Sequence, residues 1–274
     1  MKTLFLSIII SLAAFCQTMA AADKGTAAAD DDEACCPDIE KLENQARGGS
    51  PSAFRRLSEC YQHGWGVEKN HINMFFMNRN YCMTLGRSDF FKIFVETDAD
   101  SPIARVVRRG QDITLDDMVE ISAEIRDEYP ADAKVFDAFC TLFSQETEEN
   151  DLVMSMLEDA REMGSSLSVL ALCTLYDEKN MEDEYVSLVE EEGKHIPYLY
   201  NRLGLKIFNK YKENADEEQM RRAAAYLEKA DRHAFLSLEG AEALLSLYEG
   251  GYGADCSRKD IRRLKKLITR LNNY

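Results

Sequence analysis

The sequence is poor in the residues that build chemistry. It contains four His, one Trp and five Pro in 274 residues. No His-x3-His or His-Glu-x-x-His occurs, and no Cys-x-x-Cys pair, so the usual ligand spacings of zinc and of dithiol redox sites are absent. A Gly-x-Ser-x-Gly nucleophile turn and a phosphate-cradling Gly-rich loop are also missing. These absences point away from metal, cofactor and acyl-transfer chemistry, and the expectation is a chain without metal or cofactor. Carboxylates abound, so runs such as Glu148-Glu149 and Glu190-Glu191-Glu192 read as solvated helix faces rather than acid–base pairs, and the aromatic clusters that stack on sugars are lacking. Basic residues are outnumbered: 33 Lys and Arg against 49 Asp and Glu, a net charge of −16. A chain this acidic repels phosphate backbones and anionic lipid, which argues against nucleic acid and bilayer surfaces as partners. The scarcity of Pro and Gly excludes a collagenous or low-complexity chain, and 45% hydrophobic residues suffice for a sizeable core.

Long apolar runs are confined to the start. Lys2, the apolar stretch Leu4 to Phe15 and the small residues around Thr18-Met19-Ala20-Ala21 have the layout of a cleaved signal peptide over residues 1–21. Phe15 precedes Cys16 where a lipid-attachment signal needs a small residue, so cleavage after Ala20 or Ala21 is favoured over a lipoprotein. Residues 22–37 read as a flexible acidic spacer and residues 38–274 as one helical domain. The expected product is periplasmic or secreted and monomeric, with no inserted membrane segment.

Helical periodicity dominates the rest. The triplets Ala53-Leu57-Tyr61, Val135-Phe139-Phe143, Ser168-Leu172-Tyr176, Leu199-Leu203-Ile207 and Gly240-Leu244-Tyr248 each place three residues on one helix face, with a fainter Ala99-Ile103-Val107. Their last members lie 82, 33, 31 and 41 residues apart, the first gap being about two periods. Second helices are predicted at Ile72 to Thr84, Asn150 to Glu162, Asp183 to Glu192, Glu217 to His233 and Arg258 to Leu271, with Gly164 and Gly193 as stops. A recurring hairpin cannot bury its own apolar face and must stack on neighbours. The slot after the middle residue of each triplet holds Ser58, Cys140, Cys173 or Gly204, so it demands a small side chain. Cys140 and Cys173 are then small buried residues about 10 Å apart, too far for a disulfide. Cys35 and Cys36 stand close enough in sequence to the first helix for one to reach Cys60 or Cys82, and without Cys16 the cysteine count is odd. His63 and His71 flank the Gly turn and could approach one another.

The run Ala53-x3-Leu57-x3-Tyr61, then Gly64-x-Gly66-Val67-x-Lys69-Asn70, then a helix ending Leu85-Gly86, resembles a Sel1-like repeat, a relative of the tetratricopeptide repeat. Leu244, Tyr248, Gly250, Gly251 and Gly253 match it again, and Ala224 to Ala230 resembles the family's second helix. The resemblance implies an exported bacterial member with an all-α fold, an α/α superhelical solenoid of about six helix hairpins, acting as a protein-binding adaptor. It also implies that first helices line a concave face. Residues two places either side of each middle core residue then face the groove: Arg55 and Glu59, Asp137 and Thr141, Leu170 and Thr174, Asn201 and Leu205, Glu242 and Ser246. Of these, Arg55, Glu59, Asp137, Thr141, Thr174, Asn201 and Glu242 are the candidate contacts for an unidentified protein or peptide. Trp65, on the turn, is either an exposed anchor or packed against the next unit. Cysteine-rich exported members bridge one repeat to the next; Cys82 fits that pattern, but Phe90 occupies the partner position. Two alternatives remain: an enzyme or binder of cell-wall-related small molecules built on the same repeats, and a structural subunit whose end helices stack between copies.

Overall fold

The computed structural model describes residues 37–272, apart from 88, 110–112, 145–149, 215 and 254–255. The expected signal segment, most of the spacer, and Cys16, Cys35 and Cys36 lie outside the described residues. Among the described residues the chain is all-α, with fourteen helices and no strand. They are α1 Ile39–Arg47, α2 Pro51–His63, α3 His71–Thr84, α4 Phe90–Thr97, α5 Pro102–Arg109, α6 Leu115–Ile125, α7 Pro130–Ser144, α8 Asn150–Glu162, α9 Ser166–Glu178, α10 Glu182–Glu192, α11 Tyr198–Tyr211, α12 Glu217–Arg232, α13 Leu238–Glu249 and α14 Arg258–Leu271. The predicted second helices coincide with α3, α8, α10, α12 and α14 to within a residue or two at each end. The predicted hairpin units correspond to α2/α3, α5/α6, α7/α8, α9/α10, α11/α12 and α13/α14; α1 and α4 are additional.

Local chemistry sets these boundaries. The side chains of Asp38, Asn70, Ser165, Asp216 and Ser237 each accept a hydrogen bond from a backbone N–H in the first turn that follows. Thr114 with Asp117, and Ser257 with Asp260, form reciprocal capping boxes at α6 and α14. Helix α2 ends where Gly64 takes φ +76°, and the N–H groups of Gly64 and Trp65 both return to the Cys60 carbonyl. Gly66 is left-handed too, at φ +71°, and a Cβ there would press on Ile39. The Gly-x-Gly turn therefore closes a helix and admits the start of α1. Asn70 N–H donates to Tyr61 C=O at 2.9 Å and Ser58 Oγ to Met74 C=O at 3.4 Å, so α2 and α3 run antiparallel.

The single domain expected over residues 38–274 divides into two compact units. One is Phe91–Glu190. The other joins the segment ending at Phe90 to Glu191–Tyr274. In the first unit the links follow chain order. Arg105 pairs with Glu124, and Arg109 with Asp117 and Glu120, between α5 and α6. Ser122 and Arg126 of α6 both reach Asp137 of α7. Lys134 of α7 meets Asp159 of α8, and Tyr176 of α9 donates to Glu158 of α8. Val135, Phe136, Phe139, Leu157, Ala160 and Leu172 fill the interior.

The second unit departs from a file of hairpins stacked in chain order, because α1 lies against α12 and α14, and α3 against α14. Helix α3 has twelve of its fourteen residues buried, so it has no solvent face and no amphipathic stripe. Phe76 stacks on Tyr198 with ring centroids 3.6 Å apart. Buried amides on α3 hold the later loops: Asn73 Nδ2 donates to His195 C=O at 2.7 Å and Asn80 Nδ2 to Leu236 C=O at 3.4 Å. On the other side, Asp231 of α12 receives Arg263 of α14 bidentately, at 2.9 and 2.6 Å, and Arg47 of α1 at 3.0 Å. The Asp231 side chain is 4% exposed. Arg263 also donates to the Arg47 carbonyl, and Arg270 to the Gly49 carbonyl at 2.6 Å. His233 and Glu43 make a further contact between α12 and α1 at 3.0 Å.

The expected small-residue slot is real at Gly204, where a Cβ would lie 2.7 Å from Leu227 Cγ on α12. Gly204→Ala is expected to cost about 1–3 kcal/mol through overpacking. Asp231→Ala is expected to cost about 3–5 kcal/mol, since it strips two inward-turned guanidinium groups of their carboxylate. Urea unfolding measures both losses. Amide exchange should show α1 and α14 losing protection together in the Asp231 variant, and separate behaviour of these helices would contradict the shared clamp.

Candidate functional site

Helix α2 buries Ala53, Phe54, Leu57, Ser58, Cys60 and Tyr61, which leaves Arg55, Arg56 and Glu59 on its outer side. Glu59 accepts from both arginines: Arg55 Nε at 3.2 Å on Oε1 and Arg56 Nη1 at 3.1 Å on Oε2. Trp65 follows on the Gly64–Gly66 turn and is half-buried. The His63 ring lies against it with centroids 4.6 Å apart and planes 30° apart, and the Arg56 guanidinium carbon sits 5.2 Å from the indole centroid. The turn, the ring contact and the cation hold the indole in one place while part of it meets solvent. The result is a part-exposed aromatic face flanked by an imidazole and a guanidinium.

The other expected contact residues scatter in role. Asp137 is half-exposed and is engaged by Ser122 and Arg126. Thr141 bonds back to the Asp137 carbonyl and touches Met156 Sδ at 3.8 Å, which turns it toward α8. Glu242 is exposed on α13. Thr174 and Asn201 do not face a groove. Thr174 is 7% exposed and donates to the Leu170 carbonyl. It sits in the unbroken buried stretch Leu167 to Leu175, where neighbours cover α9 on all sides. Asn201 is 1% exposed: its Oδ1 accepts from Ser237 N–H and its Nδ2 donates to Ser237 Oγ, tying α11 to the start of α13. Of the residues named alongside them, Leu170 is also buried, while Ser246 is exposed. Sequence reasoning overlooked Arg56, which touches both Glu59 and Trp65; it lies nine positions before Trp65, a spacing no helical period flags.

Among the described residues Cys60, Cys82, Cys140, Cys173 and Cys256 form no disulfide. The expected pairing of Cys60 or Cys82 with Cys35 or Cys36 lies outside the described residues. Burial pushes the Cys60 thiol up to about 11 and that of Cys82 up to about 12, and it raises Cys140 and Cys256 as well. These groups are protonated at neutral pH and are poor nucleophiles. Among the described residues no group of three or more His, Cys, Asp or Glu is arranged to hold a metal ion, and no helix is long and apolar enough to cross a membrane.

No protein-family model matches the chain. No curated protein matches it either. Among solved structures it is similar to a Sel1 repeat protein from Oxalobacter formigenes, at 15% identity and a TM-score of 0.39, covering 84% of this chain and 97% of that one.

Iodoacetamide labelling of the native protein near pH 7 should modify half-exposed Cys256 and Cys140 first. Cys60, Cys82 and Cys173 should react only on unfolding, read by peptide mass spectrometry. Because the shifts are upward, labelling of Cys140 and Cys256 should accelerate as pH rises above the ordinary thiol range. Fast labelling of Cys60 at pH 7 would overturn this account of its burial.

Proposed function

We propose that the protein is an interaction scaffold that captures a protein or peptide partner, with Trp65 as the anchor and Arg55, Arg56 and Glu59 around it. The observation that carries this reading is the indole on the Gly-x-Gly turn, in contact with the His63 ring and the Arg56 guanidinium and half open to solvent. A large side chain already immobilised gives up little entropy on binding, and Trp and Arg dominate the energetics of protein interfaces. Glu59 serves the site by holding both arginines in register. Exposed Glu242, in the same unit, is a secondary contact in this reading; Thr141, turned toward α8, and the buried Thr174 and Asn201 are not, and Asp137 is engaged by Ser122 and Arg126.

The scaffold acts outside the cytoplasm, in the periplasm or beyond the cell. Lys2, the apolar run Leu4 to Phe15 and the small residues before Ala21 support export by a cleaved signal. The net charge of −16 favours a protein partner over nucleic acid.

The test is affinity capture with the full exported chain, the Trp65→Ala variant and the charge-swapped Arg55→Glu/Glu59→Arg variant. At least one protein retained by the native chain should be lost, or weakened by roughly tenfold or more, in both variants. Circular dichroism should stay native, because both sites lie on the outer side of α2 and its turn. Equal retention by all three proteins would sink the reading, and loss of helicity in the swap would assign Arg55 and Glu59 to the fold.

A further inference from the structure

Helix α14 carries seven basic residues and one acidic one, in a chain whose net charge is −16. Its inner side is consumed by the fold. Leu264, Leu267 and Leu271 are buried, Arg263 binds Asp231, and Arg270 holds the Gly49 carbonyl. Its outer side is different. Arg258, Lys259, Arg262 and Lys266 are exposed, and among the described residues none of the four makes an ion pair. Lys265 beside them reaches Glu249 at 2.8 Å. Elsewhere the chain pairs its arginines readily, as at Arg55, Arg105, Arg109, Arg126, Arg161 and Arg221. Arg108 and Arg232 are also exposed without an ion pair among the described residues, but α14 gathers four such residues on one helix. Arg258 and Lys259 also occupy the first turn of α14, where the helix macrodipole disfavours positive charge. Stability does not account for their placement.

The geometry selects the kind of anion. Arg258, Arg262 and Lys266 follow one another at four-residue spacing, about 6 Å apart along the axis. In an extended peptide, alternate side chains on one face are spaced by about 6.6 Å. A short segment with acidic residues at every second position therefore matches the stripe in both charge and register. The helix is about 21 Å long, so six or seven extended residues cover it. A bilayer fits less well, because the leucines that would insert are already buried. A nucleic acid would run past the helix onto acidic surface. At physiological ionic strength the screening length is about 8 Å, so a segment lying on α14 feels the local stripe more than the net charge of the chain.

We infer that the outer face of α14 is a second contact surface, which binds an extended acidic segment of a protein partner through Arg258, Arg262 and Lys266. The inference rests on the chain's being a scaffold but does not depend on Trp65.

The probe is a fluorescein-labelled peptide of four Glu-Ala repeats, titrated with the full chain and followed by anisotropy. Saturable binding is expected at 50 mM NaCl, weakening roughly tenfold or more by 300 mM. It should fall at least as far in Arg262→Glu/Lys266→Glu and in the milder Arg262→Ala/Lys266→Ala, each checked for native circular dichroism. Trp65→Ala should bind as the native chain does, which separates this surface from the one above. A Gln-Ala peptide should not bind. Absence of saturable binding, binding untouched in both α14 variants, or equal affinity for oligo-dT or anionic vesicles would overturn the inference. So would binding that emerges only after Asp30→Asn, Asp31→Asn, Asp32→Asn and Glu33→Gln, because the face would then belong to the chain's own acidic segment.

Discussion

The carboxylate of Asp231 holds together three helices that the sequence sets far apart. It lies in α12, with Arg263 of α14 on both its oxygens and Arg47 of α1, 184 positions away, on one of them. Desolvating an ionised carboxylate is costly, and two guanidinium groups with well-directed hydrogen bonds offset that cost. Arg263 reaches the Arg47 carbonyl as well, so the charge cluster also caps the end of α1. Removing Asp231 leaves both guanidinium groups inward-turned without their carboxylate, whereas removing either arginine leaves the other still paired.

That clamp explains why the first helices belong with the last ones. Once α1 is fastened to α12 and α14, α3 is carried into the interior of the same unit, and its polar residues must find partners there. Asn73 and Asn80 do so by donating to loop carbonyls at His195 and Leu236. The amides thus serve as spacers that set the later loops against the first hairpin. The unit Phe91–Glu190 needs no such device, since each of its links joins helices that follow closely in the chain.

The same economy separates structural from available side chains. On α2 the inward residues are mostly apolar and Arg56 on the outer side lies over Trp65; on α14 two arginines face inward and five basic residues face out. Both outer faces belong to one unit, and they differ in chemistry: a fixed aromatic flanked by cations, and a charged stripe with regular spacing.

Much of the fold was legible in the sequence because local rules govern it. The four-residue spacing of Leu57, Tyr61, Phe139, Leu172 and Leu203 revealed the helices, Gly64 and Gly66 announced a turn needing left-handed backbone, and the Gly204 slot disclosed a close helix approach. The candidate site was legible only in part. Arg55, Glu59 and Trp65 could be picked out because α2 has a single buried face, so counting from Leu57 gives the exposed side. The same counting failed at Thr174, because α9 is buried on nearly every side over Leu167 to Leu175 and has no outer register there, and at Asn201, because the start of α13 at Ser237 covers that position. What residues alone determined was which segments are helical and where they stop. What only the tertiary structure decided was which helices meet, because the pairing of Arg47, Asp231 and Arg263 depends on distances through space that no sequence period encodes.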